Sequence, residues 1–238
     1  MTMSTDPGKQ LPLDLPHRPA LSREDFLVTP ANAEAVAWLD CWPRWPGPAL
    51  ALHGPRGCGK THLAHVFAAR SGAAILRAEE LPDEDIPYLL DHHRALVVEG
   101  ADRLVPDPEV EQALFHAWNL VKDAQRHILL TGEEPPARWK VDLPDLRSRL
   151  STAQTAAIAA PDDILMEAVL VKLFIDRQLR VGPDVIGFLL RHMERSFAAA
   201  RRVVAAADTM SLAERRHITV RFIAKVLDAQ NRDGSAKP

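Results

Sequence analysis

The chain has 238 residues, 47% hydrophobic and 26% charged, with a formal net charge of −3. That supports a sizeable core in one or two domains and excludes a generic electrostatic pull toward nucleic acid, leaving room only for local basic patches. Two cysteines, Cys41 and Cys58, rule out a disulfide framework and fit a reducing compartment. No apolar run approaches the ~20 residues of a membrane span, and the N-terminus lacks the basic and apolar blocks of a signal peptide, so a cytoplasmic location is expected.

Residues 1–25 read as an extended tail, because Pro7, Pro12, Pro16 and Pro19 oppose both helix and regular sheet pairing. Within it "KQLPLDLP" (9–16) carries Leu11, Leu13 and Leu15 beside Gln10, an apolar alternation in an otherwise polar segment. From residue 26 to residue 160 helices and strands alternate. "ANAEAVAWLDCW" (31–42) predicts a helix stopped by Pro43, Pro46 and Pro48. "ALALH" (49–53) predicts a buried strand and "THLAHVFAAR" (61–70) a helix. Strands follow over "AAILR" (73–77), "ALVVEG" (95–100), "HILLTG" (127–132) and "TAAIAA" (155–160), with helices over "EVEQALFHAWNLVKDA" (109–124) and "LPDLRSRL" (143–150). Such alternation implies a parallel sheet covered by helices on both faces. Residues 161–238 instead read as a small all-helical domain of four helices ending in a polar tail. The first of these places Ile164, Ala168, Val171, Ile175 and Leu179 on one face.

The strongest chemical signal is "GPRGCGKT" (54–61), which fits G-x-x-x-x-G-K-[ST] between a strand and a helix. The candidate nucleotide-binding loop runs through Gly54, Pro55, Arg56, Gly57, Cys58, Gly59, Lys60 and Thr61 into His62. Its glycines let backbone N–H groups curl around phosphate oxygens, and Lys60 can reach the β- and γ-phosphates. The Thr61 hydroxyl can coordinate Mg²⁺, and the following helix turns its positive end toward the anion. ADP or ATP with Mg²⁺ is the expected ligand.

A P-loop site needs a second acid at the end of another buried strand. "ALVVEG" supplies Glu99 as catalytic and metal-organising candidate, or else as an ordinary strand-end acid. Gly100 follows where many such ATPases carry a water-activating acid, with Asp102 as a possible substitute. Thr131 and Glu133 end another strand, either at the ligand crevice or as a loop cap. "LPDLRSRL" carries Arg147 and Arg149, suited to phosphate by their planar, bidentate guanidinium groups, or a solvated surface pair.

The ordered set "GPRGCGKTHL", "ALVVEGADRL", "ILLTGEEPP", "LPDLRSRLS" and "ERSFAAARR" resembles the AAA+ module of the bacterial replication initiator DnaA, and most of all the family of its shortened relatives, Hda. The resemblance covers about residues 22–230. It implies an AAA+ parallel sheet followed by a helical lid, with Glu99 as the Walker B acid and Thr131 and Glu133 in the sensor 1 region. It implies Arg149 as the arginine finger that reaches a neighbouring subunit's nucleotide, and Arg195 as the lid's sensor 2 arginine. Gly100 departs from the family's active ATPases and implies weak hydrolysis by the chain alone. The length implies no C-terminal helix-turn-helix domain, so an origin-binding initiator is not expected.

"QLPLDLP" in turn resembles the short peptide by which bacterial proteins bind the sliding clamp of DNA polymerase. Gln10, Leu11, Leu13 and Leu15 would be its anchors, since an extended peptide presents alternate side chains to pockets; packing on the chain's own surface is the alternative. The resemblance implies the sliding clamp and DnaA as partners, a possible homodimer, DNA reached only through the clamp, and a negative regulator of replication initiation that stimulates hydrolysis of DnaA-bound ATP. An autonomous loader or remodelling ATPase stays open as an alternative. So does a DNA-binding adaptor using Arg201, Arg202, Arg215 and Arg216.

Overall fold

The computed structural model describes residues 28–104, 107–214 and 216–234. The tail expected over residues 1–25, with Gln10, Leu11, Leu13 and Leu15, lies outside the described residues, as does Arg215. In chain order the α/β part runs α1 (Ala33–Cys41), β1 (Ala49–His53), α2 (Lys60–Ser71), β2 (Ala74–Arg77), α3 (Ile86–His92), β3 (Ala95–Glu99), α4 (Pro108–Asp123), β4 (His127–Gly132), α5 (Pro144–Ser151) and β5 (Gln154–Ala157). The lid follows with α6 (Asp163–Asp176), α7 (Pro183–His192), α8 (Phe197–Glu214) and α9 (Val220–Gly234).

The five strands form one parallel sheet in the order β2-β3-β4-β1-β5. Strand side chains alternate between two cores. Leu50, Leu52, Val97 and Leu129 face α1 and α2, meeting Leu63 and Phe67. Ala51, Leu96, Val98, Ile128 and Leu130 face the other way, meeting Leu114, Trp118 and Val121 of α4. Burial on both faces explains why the strands read as continuous apolar runs. Truncating one such leucine to alanine costs about 2–5 kcal/mol. The parallel arrangement brings every strand's carboxyl end to one edge, where β1 passes into the P-loop. The described chain begins beside β5: Ala159 N–H donates to the Ala31 carbonyl at 2.9 Å.

One α-helix and the short 3₁₀ turns escaped the sequence reading. Between β2 and β3 the chain makes a 3₁₀ turn over Ala78–Asp83 and then α3. Asp85 caps α3 by accepting from the Tyr88 N–H at 3.0 Å, and Pro87 sits in the first turn, where a missing N–H costs nothing. The strand expected over 155–160 is shorter, Gln154–Ala157.

The lid has its own core, built from Met166, Leu170, Phe174, Leu189, Val204 and Ile223 among others. Here the expectation for α6 needs correction. The face carrying Ile164, Ala168, Val171 and Ile175 is exposed, with Ile164 at 74% and Ile175 at 66%. The core takes Leu165, Met166, Leu170 and Phe174 instead. α6 is apolar on nearly every side, so periodicity alone does not choose its buried face. Leu179, beyond the helix end, does pack against the lid core.

Candidate functional site

The P-loop follows β1 as expected, and its shape depends on glycine. Gly57 has φ 74° and Gly59, which caps α2, φ 106°, in the left-handed region that L side chains avoid. A Cβ on Gly57 would stand 2.4 Å from the Ser196 Cβ, and one on Gly59 3.1 Å from the Phe197 ring. The loop is therefore kept small because the lid packs directly on it, and the Phe197 N–H donates to the Gly57 carbonyl at 3.1 Å. Ser196, 2% exposed, caps α8 by accepting from the Ala199 N–H at 3.1 Å.

Lys60 lies across the loop, donating to the Gly54 carbonyl at 2.7 Å and the Pro55 carbonyl at 2.9 Å. Its ammonium is thus held at the mouth of the loop, ahead of the first turn of α2, which carries Thr61 and His62. Cys58 is 4% exposed and burial pushes its thiol above the ordinary range, which marks it as packing rather than a nucleophile. Arg56 turns outward, and its Nε is 2.6 Å from Glu133 Oε1. That hydrogen bond, then the guanidinium charge, holds the Glu133 carboxyl below its usual range. Arg103 approaches the same oxygen at 3.7 Å.

Glu99 ends β3 beside α2. His65, one turn beyond Thr61, places Nε2 3.8 Å from Glu99 Oε2, while Glu99 Oε1 is buried with no hydrogen-bond partner. A buried carboxylate oxygen without a donor is costly unless a cation or bound water satisfies it. Among the described residues no group of three or more His, Cys, Asp or Glu side chains could hold a metal. Mg²⁺ bound through phosphates asks for less, one or two protein oxygens, and Thr61 with Glu99 fits that demand.

Thr131, 3% exposed, accepts the Gly100 N–H at 3.0 Å and so ties the ends of β3 and β4 together. Gly100 has φ 70°, so an acidic side chain there would strain the backbone. Asp102 accepts the Glu133 N–H through Oδ2 at 2.6 Å, while its Oδ1 is buried without a partner. Asp102 therefore braces the loop after β4. Arg195 sits just before α8, and its Nη2 is 2.9 Å from Asp163 Oδ1 on α6.

The two arginines of α5 differ. Arg147 donates to the Val141 carbonyl and fastens its own helix. Arg149 lays its guanidinium over the Phe115 ring of α4, 4.8 Å from the centroid. α5 is anchored by Glu111, one turn before Phe115. Glu111 is 4% exposed and accepts N–H groups from Asp142 (2.9 and 3.1 Å) and Leu143 (2.7 Å). Glu111, Phe115, His65 and the Ser196–Phe197 contact were not singled out from sequence. Only "ERSF" hinted at one of them; a charged residue in an amphipathic helix gives no sign that it is buried.

The geometry thus separates two clusters. Lys60, Glu99, Thr131, Glu133 and the lid's Ser196–Phe197 gather at the carboxyl edge of the sheet. Arg149 stands near the end of α5, five residues before β5 begins, and so near the amino edge.

Comparison with known proteins agrees with this architecture. Residues 167–227 match the family model described as the Hda lid domain. Domain III of the Thermotoga maritima replication initiation protein DnaA superposes with a TM-score of 0.77 at 18% identity, covering 90% of this chain and 98% of that one. AMPPCP-bound DnaA from Aquifex aeolicus gives 0.68 at 15% identity, covering 90% and 70%. The Thermotoga maritima RuvB Holliday-junction branch-migration motor gives 0.63 at 17% identity, covering 84% and 66%. The chain thus has the AAA+ fold of DnaA domain III, and its lid is similar to that of the Hda family over residues 167–227.

Proposed function

We propose that the protein is a negative regulator of replication initiation that works in the cytoplasm by stimulating hydrolysis of ATP bound to DnaA. Its tail, through Gln10, Leu11, Leu13 and Leu15, holds it on the DNA-loaded sliding clamp, and DNA is reached only through that clamp. Its AAA+ module packs against ATP-bound DnaA and presents Arg149 to DnaA's nucleotide. The observation that carries this reading is the place of Arg149. The P-loop follows the carboxyl end of β1, whereas Arg149 lies in the last turn of α5, just before the amino end of β5. Parallel strands hold those ends apart, so Arg149 suits a neighbour's nucleotide better than its own.

Hydrolysis then proceeds in DnaA. A guanidinium placed beside the transferring phosphoryl group neutralises charge that develops in the transition state. Phe115 and Glu111 hold α5, and with it Arg149, in position. The chain's own nucleotide, ADP or ATP, is held by residues Gly54 to His62, with Thr61 and Glu99 toward Mg²⁺, which neutralises phosphate charge when bound. Arg195, exposed and paired with Asp163, is the lid arginine assigned to that phosphate. Gly100 gives no acid to activate water, and Asp102 is engaged by the Glu133 amide, so this nucleotide acts as a structural ligand. Lid contact at Gly57 links it to lid angle, and hence to docking on DnaA or to a homodimer.

The test is hydrolysis of DnaA-bound ATP with clamp loaded on DNA. Wild-type protein should accelerate it, and a Gln10→Ala/Leu11→Ala/Leu13→Ala variant should not, although ADP still raises its melting temperature. Equal stimulation by that variant would contradict the clamp tether. Turnover at ~1 s⁻¹ or faster by the isolated protein, in the ordinary enzyme range, would instead favour an autonomous ATPase.

A further inference from the structure

α6 carries more apolar side chains than the lid core takes in. Ile164, Val171 and Ile175 are 74%, 38% and 66% exposed, and Ala168 between them is exposed as well. They recur at i, i+4, i+7 and i+11, one helical face, about 16 Å long at 1.5 Å per residue. Among the described residues six large hydrophobics are exposed, and half of them form this row. Single exposed hydrophobics are ordinary, but a contiguous row marks a docking surface.

The chain's own N-terminal segment has the matching chemistry and enters at the right place. The Ala159 N–H to Ala31 carbonyl bond, 2.9 Å long, sets the start of the described chain beside the connection into α6, four residues ahead of Asp163. In an extended conformation Leu11, Leu13 and Leu15 would share one side and span about 13 Å. Residues 16–27 can stretch to ~40 Å, beyond the length of the α6 row and the few residues leading to it. Pro12 and Pro16 donate no backbone hydrogen bond, so side-chain contact rather than strand pairing is the available mode.

We propose that the Ile164–Ala168–Val171–Ile175 face is the resting seat of Leu11, Leu13 and Leu15, which leave it when a sliding clamp takes them. This deepens the clamp reading proposed above and rests on it only for the consequence: docking lowers apparent clamp affinity by the fraction of undocked tail. The leucines are covered until a partner competes for them.

Two measurements test this, and the first contains no clamp. A nitroxide is attached to Gly8→Cys in a Cys41→Ser background, Cys58 being buried. Amide signals of residues 164–175 should broaden, those of residues 221–228 in α9 should not, and Leu11→Ala/Leu13→Ala/Leu15→Ala should restore the α6 signals. Unbroadened α6 signals overturn the proposal. So does broadening that appears when label and ¹⁵N are on different molecules, which would make the face a contact between two copies. In the second measurement, Ile164→Ser/Val171→Ser/Ile175→Ser leaves Met166, Leu170 and Phe174 intact and should tighten clamp binding. If about nine-tenths of tails are docked, the gain is about 10-fold. Unchanged or weakened clamp affinity in that variant overturns the competition. A wild-type chain that binds no clamp at all overturns the clamp reading, while the spectra still decide the docking.

Discussion

The two edges of the sheet are built differently. At the carboxyl edge many polar groups are already engaged within the chain, Lys60 by the carbonyls of Gly54 and Pro55, Glu133 by Arg56, Thr131 by Gly100, and the P-loop by Phe197 of the lid, while Glu99 Oε1 and Asp102 Oδ1 are buried without a partner. Arg149 instead rests on the Phe115 ring, a contact that orients a guanidinium yet leaves its five N–H donors available. A site that closes over its own ligand needs many internal ties. A group meant for a neighbour's ligand needs a firm base and a free end. Breaking either set of ties should therefore have separate consequences.

The largest effect should come from changing the free end. Arg149→Lys keeps the charge but loses the bidentate fork. Since an arginine finger is worth ~10³–10⁵ in rate, the lysine variant should recover little stimulation of DnaA-bound ATP hydrolysis, while ADP still raises its melting temperature. Lys60→Ala tests the other edge. ADP at about 100 times its Kd should stabilise wild type by about 2.7 kcal/mol, and calorimetry of the variant should show that shift erased.

The base of α5 comes next. Glu111→Ala leaves the Asp142 and Leu143 N–H groups without their acceptor, at about 1–3 kcal/mol, readable by denaturant melts. Glu111→Gln, which keeps an acceptor oxygen, should recover part of the loss. Phe115→Leu keeps an apolar platform but removes the ring's quadrupole, worth about 0.5–1 kcal/mol. It should lower stimulation of DnaA only a few-fold, with nucleotide binding unchanged.

The smallest effect is expected at Glu133. Its folded-state pKa is depressed by Arg56. The pair's contribution is therefore fully present above the ordinary carboxylate range and is lost as pH falls through the lowered value. Solvent screening at this exposed pair keeps it slight. Melting temperatures of wild type and Glu133→Gln should converge in acid and differ slightly at neutral pH. A larger gap in acid would reverse the sign and refute the assignment.

Most of the sheet was legible because β1, β3 and β4 are apolar runs with Gly54, Gly100 and Gly132 at their carboxyl ends, and the P-loop because glycine, lysine and threonine stand at spacings dictated by phosphate geometry. Nothing in "RSRL" says that Arg147 fastens the helix through the Val141 carbonyl while Arg149 lies over the Phe115 ring; the order of motifs alone singled out Arg149. Glu111 was not legible: an acid at one position of an amphipathic helix looks solvated until the chain returns with two amides to bury it. The α6 face was misread because Ile164, Leu165, Met166, Val169, Leu170, Val171, Phe174 and Ile175 surround the helix axis. Only the packing of α7, α8 and α9 selects the buried side.

Arg149 is proposed to act on a neighbour's nucleotide. The most direct measurement is single-turnover decay of labelled ATP pre-bound to DnaA, with clamp loaded on DNA and this protein in excess, comparing wild type with Arg149→Ala. The Arg149→Ala variant should leave DnaA at its unstimulated rate, a loss on the order of 10³ or more, while it still binds the clamp and ADP. Decay at the wild-type rate with Arg149→Ala would contradict it.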